Sequence, residues 1–346
     1  MKIIKRYHTI PVLLFLLTLM TACERTELCY DHFPTLNLDL GWEQEWERDY
    51  GMNHAGAWDA ELHGFRYEDM RPERPEWVNM VINMPDGTTS EKYLSADGSK
   101  VDVPFGEGQS YLLYNGDTEY IMLYDMASLT EARATATSRS RPGLSYISER
   151  HPGDRSTNSP DVLFACYIKE APSLGIHEHV SLGVNMQPLV YTYIIRYEFD
   201  YGLEHVALAR GALGGMAESV YLRDGRTSDK TSVILYDCDV KSYGCEAHIR
   251  SFGAPGFPDK YYGRAESEVP DLPYTLNLEI LLKNGKSVEF NYDIADQIKK
   301  QPRGGVITIK GVRIEDQIGS SDSGFNVDVT DWPDHDVIDL PIEVEP

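Results

Sequence analysis

Short runs of alternating apolar and polar residues, closed by Gly, Asn or Asp, constrain this chain more than any other feature. In Thr35-Leu-Asn-Leu-Asp-Leu-Gly-Trp42 the three leucines fall on one side of an extended segment, the mark of a half-buried strand. Trp77-Val-Asn-Met-Val-Ile-Asn-Met84 runs into Pro85-Asp86-Gly87, where Pro pre-sets a turn angle and Gly accepts a positive one. Ala96-Asp97-Gly98 is a second turn, and Val101 and Val103 begin another strand. The stretch 111–124 reads as two strands around Asn115-Gly116, a hairpin signal. Val190-Tyr-Thr-Tyr-Ile-Ile-Arg-Tyr-Glu-Phe199 is β-branched and aromatic throughout, and strand patterns follow at 218–223, 232–237, 274–282, 287–292 and 306–312. Asn284-Gly285 separates the last-but-two from the last-but-one as a hairpin turn. Helical patterns are confined to 206–216 and 294–300. No period of repeat length is visible, which disfavours a propeller or solenoid. The pattern predicts an all-β fold of β-sandwiches, and the length favours two.

The segment 136–159 changes character. It is rich in Ser, Thr, Arg, Gly and Pro with almost no apolar periodicity, and it reads as a linker or long loop. An N-terminal sandwich over 35–135 and a C-terminal sandwich over 160–346 follow from it.

The N-terminus carries an export signal. A basic start, Met1-Lys-Ile-Ile-Lys-Arg6, precedes the apolar run Val12-Leu-Leu-Phe-Leu-Leu-Thr-Leu-Met20 and then Thr21-Ala22-Cys23. The run is shorter than the roughly 20 residues of a membrane-spanning helix. Residues 1–22 are read as a lipoprotein signal peptide, Cys23 as the lipid attachment point and 23–34 as the lipidated tether. The bland alternative is an ordinary secretory signal followed by a chance cysteine.

The formal net charge is −23, and removing Lys2, Lys5 and Arg6 with the signal takes it to −26. So acidic a body repels phosphate backbones, which argues against nucleic-acid binding. Membrane attachment is expected through the lipid alone.

After Cys23, the cysteines are Cys29, Cys166, Cys238 and Cys245. An oxidising envelope permits disulfides. Cys238 and Cys245 are spaced either to bridge a strand-turn-strand or to stand as buried thiols.

The chemistry of enzymes is hard to find. There is no Gly-x-Ser-x-Gly elbow and no His-Glu-x-x-His. His177-Glu-His179 is better read as two exposed imidazoles than as zinc ligands, and the acids around Trp332-Pro333 do not have calcium-loop spacing. Gly211-Ala-Leu-Gly-Gly215 lacks the Lys-Ser/Thr of a phosphate loop and reads as a packing run. No metal, no cofactor and no catalytic residue are expected. Trp42, Trp46, Trp58 and Trp77 fall in the first sandwich, where they either stack on sugars or anchor the core.

Several motifs occur in series: Cys23-Glu-Arg-Thr-Glu-Leu-Cys-Tyr-Asp-His32, Leu113-Tyr-Asn-Gly-Asp-Thr-Glu-Tyr-Ile121, Pro160-Asp-Val-Leu-Phe-Ala165, Ala209-Arg-Gly-Ala-Leu-Gly-Gly-Met216, Ser251-Phe-Gly253 and Gly324-Phe-Asn-Val-Asp-Val-Thr-Asp-Trp332. In this order they resemble the fimbrillin-like surface lipoproteins of Bacteroidales, related to type V pili, and more closely an uncharacterised Bacteroides lipoprotein group among them. The resemblance implies two tandem transthyretin-like, Greek-key β-sandwiches on the outer membrane, exposed at the surface. It implies a non-enzymatic fimbrial component (tip, anchor or minor subunit) or adhesin. In pilins of the family an arginine-specific protease removes an N-terminal strand, and a neighbouring subunit supplies a replacement by strand addition. Carried over, the strand is Thr35–Trp42 and the cleavage site Arg48 or Arg25. Partners would be other fimbrial subunits, a host protein or a glycan, and a glycan-binding lipoprotein for polysaccharide capture is the alternative reading.

Overall fold

The computed structural model describes residues 33–43, 60–63, 66–175, 178–261, 271–319, 332 and 339–340. The chain lays down β1 (Thr35–Trp42), β2 (Trp77–Asn83), β3 (Thr89–Ser95), β4 (Lys100–Asp102) and β5 (Ser110–Asn115). After these come β6 (Ile121–Tyr124), β7 (Arg133–Ala136), β8 (Ser138–Arg139), β9 (Arg155–Thr157), β10 (Phe164–Ile168) and β11 (His179–Pro188). The first sandwich has the order β3-β2-β5-β10-β11-β1-β4. Its two layers meet at β11, which runs parallel to β1 from His179 to Met186 and then pairs Gln187 and Pro188 with β10. Period-two alternation does the rest: Leu36, Leu38 and Leu40 of β1 face Val78, Met80 and Ile82 of β2 and Tyr111 and Leu113 of β5 in one buried core. Each such aliphatic side chain contributes about 1.5–3 kcal/mol on burial.

The second sandwich is built from β12 (Tyr191–Tyr201), β13 (Val206–Ala217), β15 (Thr231–Lys241), β16 (Gly244–Ser251), β17 (Thr275–Leu282), β18 (Ser287–Asp293) and β19 (Gly305–Arg313), with β14 (Ser219–Tyr221) set apart. The order is β18-β17-β13-β15-β16-β12-β19; β9, β8 and the short β20 (Asp339–Leu340) extend outward from β15. β15 is the strand that turns the corner, pairing with β13 as far as Cys238 and with β16 from Asp239 onward. Tyr193, Ile195, Leu213, Ile234, Leu276 and Ile307 are among the side chains of its core. A small sheet, β14-β7-β6, lies between the two sandwiches. There Val81, Leu112 and Tyr114, on the reverse face of the first sandwich, share one apolar cluster with Ala134, Leu189, Val220 and Phe252.

The two tandem sandwiches expected from the sequence are present, and several local expectations change. First, the first sandwich does not end near residue 135. β10 and β11 belong to it, so the crossing into the second falls between Pro188 and Tyr191. Second, 136–159 is not a bare linker: it forms β8, a short helix (Ser145–Arg150) and β9, and β9 pairs in parallel with β15. Third, 206–216 is strand β13 and not helix, whereas 294–300 does hold a helix (Ala295–Lys300).

The Asn115-Gly116 hairpin also fails to form, because β5 pairs with β2 and β10 while β6 pairs with β7. Asn115 is buried. Its amide donates to Asp117 Oδ1 and the Val162 carbonyl and accepts from Phe164 N–H at 2.7 Å. Those tertiary bonds turn the chain out of the sheet. By contrast, the turns at Pro85-Asp86-Gly87 and Asn284-Gly285 are as expected, with Gly87 and Gly285 at φ +85° and +81°.

Candidate ligand-facing surfaces

The first sandwich presents an aromatic face. On β2 the inward Val78, Met80 and Ile82 leave Trp77 and Asn79 on the opposite side. Trp77 is 57% exposed and Tyr93 of β3 is 75% exposed. Trp77 stands opposite Ser95 and Asn79 opposite Tyr93, so the two rings occupy diagonal positions about 7 Å apart on one face. The Asn79 amide lies on the β5 side, away from β3: a Cβ at Gly116, just past β5, would sit 2.3 Å from Asn79 Nδ2. β3 is the edge of its sheet, so no further strand flanks Tyr93, whereas Val81 on the same face of β2 is buried against the small sheet. An exposed indole and an exposed phenol offer apolar faces to C–H groups, and their N–H and O–H offer hydrogen bonds to hydroxyls.

Trp42 plays the other role. Its ring meets Phe164 edge-on at 5.0 Å and its Nε1 donates to the Ala96 carbonyl at 3.1 Å, so it is a core anchor. Trp46, Trp58, Cys23, Arg25, Arg48 and His177 lie outside the described residues. His179 is exposed at the start of β11, opposite Thr35.

Residues 65–237 match the model of a family described as a domain of unknown function, DUF5119. The chain belongs to the DUF5119 family. No curated protein matches it. Among solved structures, a candidate adhesin from Bacteroides ovatus is similar at 20% identity and TM-score 0.54, over 85% of this chain and 98% of that one. The fimbrial anchor protein Mfa2 from Porphyromonas gingivalis is similar at 9% identity and TM-score 0.43, over 80% and 90%. A candidate polysaccharide-binding protein from Bacteroides thetaiotaomicron is similar at 12% identity and TM-score 0.43, over 84% and 93%. The Bacteroides ovatus likeness shows that this DUF5119 protein shares that fold, and the fold expected from the resemblance to fimbrillin-like lipoproteins is the one observed.

The cysteines of this DUF5119 protein are thiols where the structure describes them. Cys166, Cys238 and Cys245 are all free, which corrects the bridged alternative for Cys238 and Cys245. Cys245 stands opposite Val240 and Cys238 opposite Ala209, so the two face each other only diagonally. Burial pushes the Cys245 thiol up to about 12 and Cys238 well above its usual value.

A buried charge cluster joins β12 and β16. Arg196 is 1% exposed, lies 4.4 Å over the Tyr243 ring and approaches Glu246 at 3.8 Å. Tyr243 donates to Glu246 Oε2, and His248 Nε2 lies 3.0 Å from Oε1. Burial works to raise the Glu246 carboxyl, but the bonds from His248 and Tyr243 outweigh it and hold the group below the usual carboxylate range. With every oxygen engaged, this carboxylate stabilises the strand pair and is poorly placed to move protons to a ligand.

Among the described residues, the nearest approach to a metal-type cluster is Glu204, His205 and Asp316, whose ligand atoms lie within 4.8 Å of one another. Glu204 and Asp316 are exposed, and His205 Nε2 already lies 3.2 Å from Asp316 Oδ1. The chain separation of His205 and Asp316 hides this pair from sequence patterns, as it hides Tyr93, which no tryptophan-based search would find.

Proposed function

We propose that this protein is a non-enzymatic cell-surface lipoprotein, anchored through Cys23 to the outer membrane and acting as an adhesin or fimbrial component. The observation that carries the reading is the exposed Trp77–Tyr93 pair on an edge hairpin of a fold shared with a candidate adhesin. An aromatic pair this exposed costs solubility unless a partner covers it.

The register of β1 supports the fimbrial branch. Eight residues run in parallel with β11, and three apolar side chains enter the core, yet only Thr35, Leu36 and Asn37 pair with β4. A strand held mainly along one side suits exchange for a neighbour's strand after cleavage at Arg48, which follows it in the chain; cleavage at Arg25, upstream of the strand, would leave β1 in place. The same aromatic face favours a second reading, a glycan-binding lipoprotein for polysaccharide capture.

An immunoblot of mechanically sheared cell-surface material, run without heating, tests the first reading. A ladder of high-mass bands that collapses on boiling means a polymerised subunit. A single band in the membrane pellet removes the shaft-forming role and leaves the adhesin or capture reading to binding assays with the Trp77→Ala variant. Release of Cys23→Ala from the membrane fraction is expected; unchanged retention defeats the lipid anchor.

A further inference from the structure

The segment 136–159 builds a cavity of about 410 Å³ on the second sandwich, between β8, β9 and the short helix Ser145–Arg150. Arg139, Arg141 and Arg155 line it together with Ser138, Ser140, Ser145, Ser148 and Ser156; Leu144 is the remaining lining residue. Three guanidinium groups in one concavity are a local reversal of sign on a chain of net charge −23.

The bonding of the three arginines sets what the cavity can receive. Arg139 Nη2 lies 3.1 Å from Asp237 Oδ2, and Arg155 Nη1 lies 3.2 Å from Glu218 Oε1. Arg141 donates instead to neutral acceptors, the Gly211 carbonyl and Asn277 Oδ1, each at 3.0 Å, and its Nε has no hydrogen-bond partner. Among the described residues, Arg139 and Arg155 each pair with a carboxylate, whereas Arg141 is held by neutral acceptors, with Glu279 and Asp237 acting on it only at longer range. These bonds to β13, β15 and β17 also fix the guanidinium planes before any ligand arrives, which lowers the entropy cost of binding.

The volume falls in the range of small-ligand pockets, about 300–1,000 Å³. It has room for roughly a dozen waters at about 30 Å³ each, more than one tetrahedral oxyanion fills. Five hydroxyl groups donate and accept as sugar hydroxyls require, and among the described residues no aromatic ring lines the cavity to stack a nucleobase. We propose that this arginine- and serine-lined cavity binds an acidic saccharide, with its carboxylate or sulfate received by Arg139, Arg141 and Arg155 and its hydroxyls by the surrounding serines. The proposal is independent of the aromatic face on the first sandwich.

Calorimetry on the full-length protein in detergent tests it with four probes: an oligogalacturonate, a sulfated chondroitin oligosaccharide, a neutral oligosaccharide of equal length and inorganic sulfate. Binding of an acidic oligosaccharide, weakened by added salt and absent for the neutral one, is the expected result. Arg141→Gln should weaken it about tenfold or more. Because Arg141 also bonds β13 and β17, Ser148→Glu on the exposed helix surface is the cleaner variant; it should abolish binding with an unchanged melting temperature. Whether the carboxylated or the sulfated probe binds distinguishes uronic from sulfated sugars. No binding, equal binding of the neutral probe, sulfate binding as tight as the oligosaccharide, or indifference to Ser148→Glu each overturns the proposal. Loss in Trp77→Ala with retention in Ser148→Glu would assign the ligand to the aromatic face instead.

Discussion

His151 Nε2 lies 2.7 Å from Thr275 Oγ1, a contact that pins the end of the short helix Ser145–Arg150 onto β17. The imidazole sits against Gly214 and Gly215 of β13, where a Cβ would approach the ring to 2.7 and 3.2 Å. Burial pushes His151 below its usual value, with Asp154 opposing and Arg150 assisting. The unfolded chain takes up a proton near pH 6.5 that the folded chain refuses. This contribution is therefore present above that pH and lost as pH falls below it. Melting curves should show the wild type losing more stability between about pH 7 and 5 than His151→Gln, by roughly 1 kcal/mol per unit of depressed pKa. Parallel pH profiles for the two proteins would defeat the account.

Gly211 of β13 lies directly under the Tyr236 ring, and a Cβ would come within 2.3 Å of it. The ring cannot swing away freely, because its hydroxyl is bonded to that of Tyr197 at 2.9 Å within the core. Gly211→Ala should cost about 1–3 kcal/mol in denaturant unfolding. Gly183→Ala, exposed on β11 with nothing within 4 Å, should stay within about 0.5 kcal/mol.

Two tryptophans assigned to one class by the sequence separate by mutation. Trp42→Ala removes the edge contact to Phe164 and the bond to Ala96 and should cost about 3 kcal/mol. Trp77→Ala should change stability by less than about 0.5 kcal/mol. If the aromatic face binds ligand, the second variant loses binding and keeps its melting temperature, whereas the first loses stability.

How far the chain could be read turns on which signals are local. The alternation in β1 and β2 and the turns at Gly87 and Gly285 depend on neighbouring residues, so the sequence displayed them directly. β13 is buried on both faces, which replaces alternation with a continuous small-residue run that mimics a helical pattern. Its glycines serve the rings of His151 and Tyr236, which arrive from distant segments. The stretch 136–159 looked like linker for a related reason. Its order comes from Arg139, Arg141, His151 and Arg155 bonding to β13, β15, β17 and Glu218, and polar tertiary contacts leave no periodic trace. The arginine-lined cavity was invisible on the same grounds, although the local excess of Arg and Ser was its compositional sign.

The thiols of Cys238 and Cys245 provide the last test. Cys245 is buried among Tyr197 and Ile309 in the second core, and burial disfavours the thiolate at both sites. Since the thiolate is the reactive form, maleimide at neutral pH should label both positions slowly in the native protein. In denaturant without reductant, both should label fully, because neither is bridged. Labelling at these positions only after reduction would mean that the hairpin between β15 and β16 closes a disulfide, and its diagonal register would then have to shift to bring Cys245 opposite Cys238.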